Sequence, residues 1–226
     1  WTWRKASKFF DIVTYTGNTV GNSAQTISHG LGSTVGMIIV KRYSTADNWA
    51  VWHRYNANAV GFLNLTNQFS TSNVSSFISS VSSTSFTVGE SLNTNGASFV
   101  AYVFAHNDSG DGEFGPDGDQ DIIKCGSYSG NGSASGPSIN LGFEPQFLMI
   151  KRASGTNGWN VFDTMRGWTN NAGYVDNTIA WNTTDAEGTG FYWHNPTSTG
   201  FDIAASNDNV NANGHTYVYM AIRKGS

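Results

Sequence analysis

Two stretches hold the side chains that could do chemistry. Residues 107 to 121 read NDSGDGEFGPDGDQD and gather Asp108, Asp111, Glu113, Asp117, Asp119 and Asp121, six of the sixteen acidic residues in the chain. A hard cation such as Ca²⁺ takes several oxygen ligands at short spacing, with glycine allowing the sharp turns between them. These carboxylates are therefore the candidate metal ligands, and Ca²⁺ is the one cofactor the sequence offers. The run lacks the register of a helix-flanked calcium loop, which closes on a glutamate. Its plain alternative is a solvated linker of turns. The second stretch is FYWHN, residues 191 to 195, which packs Tyr192, Trp193 and His194 together; Trp168 and Trp181 lie in the same long segment. Aromatic side chains on a loop give a large apolar face at little entropic cost and suit sugar or protein contacts. Trp168, Trp181, Tyr192, Trp193 and His194 are thus the candidate ligand contacts. The alternative is a small satellite core beneath a long loop.

Catalysis has no comparable footing. Ser, His and Asp are all present, but there is no GxSxG elbow, no HExxH and no phosphate-cradling glycine loop ahead of a helix. Paired carboxylates of the glycosidase kind need a cleft, and the densest group of acids here sits in the acidic run. The chain reads as non-enzymatic.

The elements that must position these groups come in two copies. GMIIVKR at 36–42 returns as QFLMIKR at 146–152, and Leu31-Gly32, Lys41-Arg42 and Trp49 return as Leu141-Gly142, Lys151-Arg152 and Trp159 at a constant offset of 110. A constant offset over so many positions indicates an internal duplication. Residues kept in both copies belong to the frame. Trp49 and Trp159 read as core, as do Trp52 and Phe162. The Lys-Arg pairs read as strand-end charges that reach water or pair locally, with a shared anion site as the alternative. His53-Arg54 faces Asp163-Thr164 and is no requirement of the frame.

Composition bounds the class. Of 226 residues only 12% are charged, 14% are aromatic and 26 are glycine, with a formal net charge of -4. That describes a polar, uncharged surface over an aromatic and β-branched core. The twelve basic residues are scattered, which argues against nucleic acid, since phosphate binding needs a concentrated basic patch. A single cysteine, Cys125, forbids an intrachain disulfide, and no apolar run reaches the length of a membrane span.

Alternating FFDIVTY, the short apolar run MIIVKR, NWAVWHRY and the long SFVAYVFAH are strands, and no segment keeps a helical period. Residues 56–83 look like loops with one strand near Phe62–Leu65; the matching segment 165–198 is about six residues longer. The expected architecture is all-β: two tandem antiparallel β-sandwich, jelly-roll-like units of about seven strands each, related by the duplication. Residues 1–8 would be an N-terminal connector, 9–107 the first repeat, 108–120 an Asp/Gly-rich linker and 121–226 the second repeat.

Taken together, FFDIVTYTGN, ISHGLG, GMIIVKR, NWAVWHR, VAYVFAHND, GEFGPDGDQDIIKCGSYSGNG and LGFEPQFLMIKR resemble tandem repeat modules of tailed-bacteriophage tail-fibre and virion structural proteins, of the kind common in marine phages. The likeness runs from about Trp3 to Arg223. It implies a virion structural protein of a tail or fibre, made in the host bacterial cytoplasm and involved in host attachment. Its partners would be other virion proteins and copies of itself, in a trimer or another cyclic oligomer by analogy with fibres, together with a host-surface glycan or protein. The family lends no catalytic or ligand residues. The alternative is a carbohydrate-binding, lectin-like module of a surface or phage protein.

Overall fold

A computed structural model describes residues 2–19, 23–108, 114–115, 117–170 and 176–225. Among them the first half forms β1 (Phe10–Thr16), β2 (Gln25–Ser28), β3 (Val35–Arg42), β4 (Trp49–His53), β5 (Gly61–Phe62), β6 (Ile78–Val81), β7 (Ser85–Val88) and β8 (Ser98–Ala105). The second half forms β9 (Ile123–Ser129), β10 (Ser138–Asn140), β11 (Pro145–Arg152), β12 (Trp159–Asp163), β13 (Asp176–Ala180), β14 (Gly188–Phe191), β15 (His194–Thr197), β16 (Gly200–Ile203) and β17 (Thr216–Arg223). Each half has a large and a small sheet: β1-β8-β3-β4-β5 with β2-β7-β6, and β9-β17-β11-β12-β13-β14 with β10-β16-β15. The strand order is the same in both, with β14 added at the far edge of the second. The fold is thus all-β and antiparallel, as the alternation implies, but with eight and nine described strands instead of seven. β6 lies in a Ser-rich stretch whose pattern suggests only loops. The extra length of the second half goes into the β13–β14 hairpin.

The apolar run of β3 is buried on both faces because it sits between β8 and β4: Met37, Ile38, Ile39 and Val40 are all inside. Pairing of β3 with β8 shifts register between Val35 and Met37, and β11 with β17 shifts between Pro145 and Phe147. The irregularity falls at the same place in both halves. Each sandwich is also pinned at one end by the same tyrosine. The Tyr15 hydroxyl donates to Leu92 O at 2.9 Å and its ring stacks on Phe99, while Tyr128 donates to Val210 O at 2.7 Å and stacks on Tyr217. Two residues on, Gly17 and Gly130 lie against backbone; a Cβ there would come within 2.1 Å of Thr94 O and 2.3 Å of Ala212 O.

The two halves do not keep separate cores. One cluster joins the first half to Ile123, Cys125, Phe147, Met149, Trp159, Val218, Met220 and Ile222, all from one face of the second half's large sheet. The opposite face of that sheet packs with Leu141, Trp193, Phe201 and Ile203 in a second cluster. The layers therefore run small, large, large, small, with the two large sheets stacked centrally. The expected linker at 108–120 does not separate two independent units. Polar contacts also cross: Trp159 Nε1 donates to Phe62 O at 2.9 Å, His53 Nε2 lies 3.1 Å from Tyr219 O, and His106 Nδ1 accepts from Cys125 N at 3.1 Å. Gly36 is needed at this junction, since a Cβ there would stand 2.6 Å from Cys125 Sγ. Nor is the N-terminal segment a free connector. Trp3 sets its ring edge-on against Phe10, Phe104 and Phe147, so it touches both halves.

The repeated lysines show what this stacking does. Lys41 Nζ and Lys151 Nζ each donate at 2.6 Å to the carbonyl six residues on, Asp47 O and Asn157 O. Lys151 is in addition covered by the first half's 66–69 segment, donates to Thr66 O at 3.0 Å and is fully buried. It does not reach water, and burial brings its pKa down to about 8.

Candidate functional site

The aromatic candidates are mostly interior. Trp168, Trp193 and His194 are buried, with His194 edge-on to Phe162 and beside Trp168, whose Nε1 donates to His194 O at 3.4 Å. They form the satellite core and cannot stack on a ligand. Trp181 is half-buried and tilted against Phe147 in the shared core. Its backbone occupies the place of Leu63: Trp181 N donates to Trp159 O as Leu63 N donates to Trp49 O. Tyr192 alone is exposed, at 55%. Removing Trp193 should therefore act on stability. Trp193→Ala is expected to cost about 3 kcal/mol, and Tyr192→Ala less than about 0.5 kcal/mol, in urea titrations; equal effects would contradict the placement.

In the acidic run, Asp111 and Glu113 lie outside the described residues. Asp108, Asp117 and Asp119 are exposed, and Asp121 Oδ2 pairs with Lys124 Nζ at 3.3 Å. Among the described residues no three His, Cys, Asp or Glu side chains gather as a metal site.

The open site lies elsewhere, at one end of the first sandwich between its two sheets. It is a cleft of about 300 Å³ lined by Arg42, Asp47, Asn48, Ala50, Phe62, Phe77, Ser91, Leu92 and Thr94. The β3–β4 connection supplies Asp47 and Asn48, β5 supplies Phe62, and the β7–β8 connection supplies Ser91, Leu92 and Thr94. Ala50 and Leu92 are buried, and the rings of Phe62 and Phe77 meet edge to face at 5.7 Å, both half-buried. Asp47 and Asn48 are exposed above them. The rim is held in place. Asn64 Oδ1 accepts from Trp49 N at 2.9 Å and Asn64 Nδ2 donates to Asn48 Oδ1 at 2.8 Å, while Asp47 Oδ1 accepts from Asn48 N at 2.7 Å. Arg42 is half-buried; its Nε is shielded from solvent and meets no acceptor among the described residues.

The same corner of the second half is closed. The register of β4 on β5 sets Ala50 against Phe62, and that of β12 on β13 sets Asn160 against Ala180, so an alanine stands where the first half has Phe62. Asn182 Oδ1 accepts from Trp159 N at 2.8 Å, the counterpart of Asn64. Asn157 Nδ2 then reaches across to Asp208 O at 3.1 Å and ties together the two connections that form the open walls in the first half. Arg152 donates to Thr156 O and lies opposite Tyr217 in the ladder; opposite Arg42 the residue is Phe99. The only trace of this in the sequence is a set of differences between the copies, and one of them, Phe62 against Ala180, falls in segments of unequal length.

No curated protein and no solved structure matches the chain. A family model does, described as a domain of unknown function, DUF7483, and it covers residues 5–224.

Proposed function

We propose that this chain, which belongs to the DUF7483 family, is a non-enzymatic structural and attachment module of a phage virion, in a tail or fibre. The observation that carries the reading is the shared central core, which joins the two sandwiches, together with an open cleft on the first. Buried polar groups elsewhere act as structural ties: Lys151, His53, His106, Asn93 and Asn211 each hold backbone. The cleft combines an aromatic floor with fixed hydrogen-bonding groups, the make-up of a binding site. Its lining includes one carboxylate and one guanidinium but no imidazole or thiol, which suits recognition more than acid–base turnover. The segment 165–198, which holds the candidate aromatic ligand contacts, packs Trp168, Trp193 and His194 inside, so receptor contact is assigned to the cleft.

Copies of the chain and other virion proteins are its expected partners, and a cyclic oligomer its expected form. Antibody raised against the chain should label purified particles at the tail, and light scattering should give a small multiple of 24.4 kDa. Particles that carry none of the chain would sink the virion reading. The second reading, a carbohydrate-binding module of a surface protein, draws on the same Phe62–Phe77 floor and would survive that result.

A further inference from the structure

We infer that the first-half cleft takes an acidic sugar residue, a pyranose carrying a carboxylate that pairs with Arg42. The inference rests on the reading of the cleft as a receptor-contact site, whichever particle or surface carries it. Size comes first: about 300 Å³ holds one sugar ring with its substituents. The floor is apolar and aromatic, fit for the C–H face of a pyranose, since Phe62 and Phe77 present ring surface without a competing polar atom. Around it stand the Asp47 carboxylate, the Asn48 carboxamide and the hydroxyls of Ser91 and Thr94, a mix of donors and acceptors that matches sugar hydroxyls.

The charge argument separates acidic from neutral sugars. A half-buried guanidinium wants an acceptor, and carboxylate is the one whose geometry it fits in a paired, bidentate way. In the second half the Arg152 side chain donates to Thr156 O, though its Nε is unpaired as well. Arg42 has no such bond: among the described residues its buried Nε meets no acceptor, and Phe99 stands where the second half has Tyr217. Asp47 lines the same cleft, but it is exposed and its Oδ1 is engaged by Asn48 N at 2.7 Å. Lys41 adds a second positive charge nearby, held to Asp47 O at 2.6 Å.

The test is a titration of the whole chain, followed by heteronuclear NMR, with the methyl glycosides of glucuronic, galacturonic and N-acetylneuraminic acid, each against its neutral counterpart. At least one acid should bind roughly tenfold or more tightly than its neutral partner, the contribution expected of one charge-assisted pair. The preference should shrink as salt is raised. Arg42→Gln should abolish the preference while the melting temperature stays put, and Arg152→Gln, in the closed corner, should leave sugar binding unchanged. Acidic and neutral sugars binding equally would overturn the inference and leave the cleft as a sugar site. Inorganic phosphate or acetate displacing the sugar acids at equal concentration would also overturn it, showing a bare anion site. No binding by any of the six sugars would overturn both the inference and the cleft as a glycan contact. Should Arg42→Gln unfold the chain, Phe62→Ala must weaken acidic and neutral sugars alike for the inference to stand.

Discussion

Taking the protein from pH 7 to pH 5 is expected to remove several kcal/mol of its unfolding free energy, well before the carboxylates begin to protonate. Three histidines drive this. Burial lowers the pKa of His53 and of His106 to about 4, and that of His194 to about 3. Between those values and the unfolded value of about 6.5 the unfolded chain binds more protons, so stability rises with pH across that window. It is fully present above about 6.5 and is lost as pH falls. For His53 and His194, both enclosed, the loss at pH 5 is roughly 2 kcal/mol each, and the slope approaches about 1.4 kcal/mol per pH unit per histidine. The geometry gives the reason. His53 Nδ1 accepts from Tyr55 N at 3.3 Å while Nε2 faces Tyr219 O, so a second proton would meet an N–H donor. His106 Nδ1 likewise accepts from Cys125 N. Both bonds to Tyr219 and Cys125 cross between the stacked sheets, so acid should loosen the central junction first. Against a typical total of about 5–15 kcal/mol, the melting temperature should fall steeply below pH 6.5. His53→Gln, which cannot titrate, should flatten that fall by about one proton. A melting temperature constant from pH 7 to pH 5 would refute the account.

That junction also marks the limit of what the sequence discloses. Residues that serve the frame are legible because they occur twice: the Tyr-x-Gly-Asn turns at 15–18 and 128–131, the Asn-x-Asn-Gly turns at 93–96 and 211–214, the Leu-Gly pairs and the Lys-Arg strand ends all recur. Strand pattern and offset together yield the antiparallel sandwiches. What the chain does with one sandwich against the other is not legible. Lys41 and Lys151 look alike in sequence and make the same bond to the carbonyl six residues on, yet one is half-exposed and the other enclosed. The difference comes from the 66–69 segment, more than 80 residues away from Lys151 in the chain. The aromatic segment misleads for a related reason. Trp168, Trp193 and His194 are clustered and unmatched in the first copy, a pattern shared by ligand contacts and by a satellite core, and only the packing of these side chains with Phe162 and of the tryptophans with Phe201 and Ile203 decides between the two. β6 hides in ISSV because an edge strand with one buried side chain, Ile78, carries almost no alternation.

The largest single-site effect is expected at Asn211, with a parallel one at Asn93 in the first half. Asn211 Oδ1 accepts from Asn131 N at 2.8 Å, and its Nδ2 donates to Asn131 Oδ1 at 3.0 Å, Ser133 O at 2.7 Å and Ala205 O at 2.8 Å. Asn93 does the same work with fewer partners: Asn18 N at 2.8 Å, Asn18 Oδ1 at 3.1 Å and Ser23 O at 3.0 Å. Both side chains are fully enclosed. Truncation to alanine leaves these backbone groups short of partners in a dry setting, at about 1–3 kcal/mol for each group stranded. Asn211→Ala is therefore expected to cost about 4 kcal/mol and Asn93→Ala about 3 kcal/mol in urea denaturation. The isosteric Asn211→Asp is the sharper probe, because it preserves shape and the bond from Asn131 N but removes the donors facing two carbonyl oxygens. It should be at least as destabilising as alanine at pH 7 and should recover part of the loss in mild acid, once the carboxyl is protonated and can donate again. Measured at pH 6 and 7, above most of the histidine window, that recovery belongs to the new acid. If Asn211→Asp were neutral, the amide would be a bystander and the turn it closes would be held by the Tyr128 hydroxyl on Val210 O and the close approach of Gly130 to Ala212 O instead.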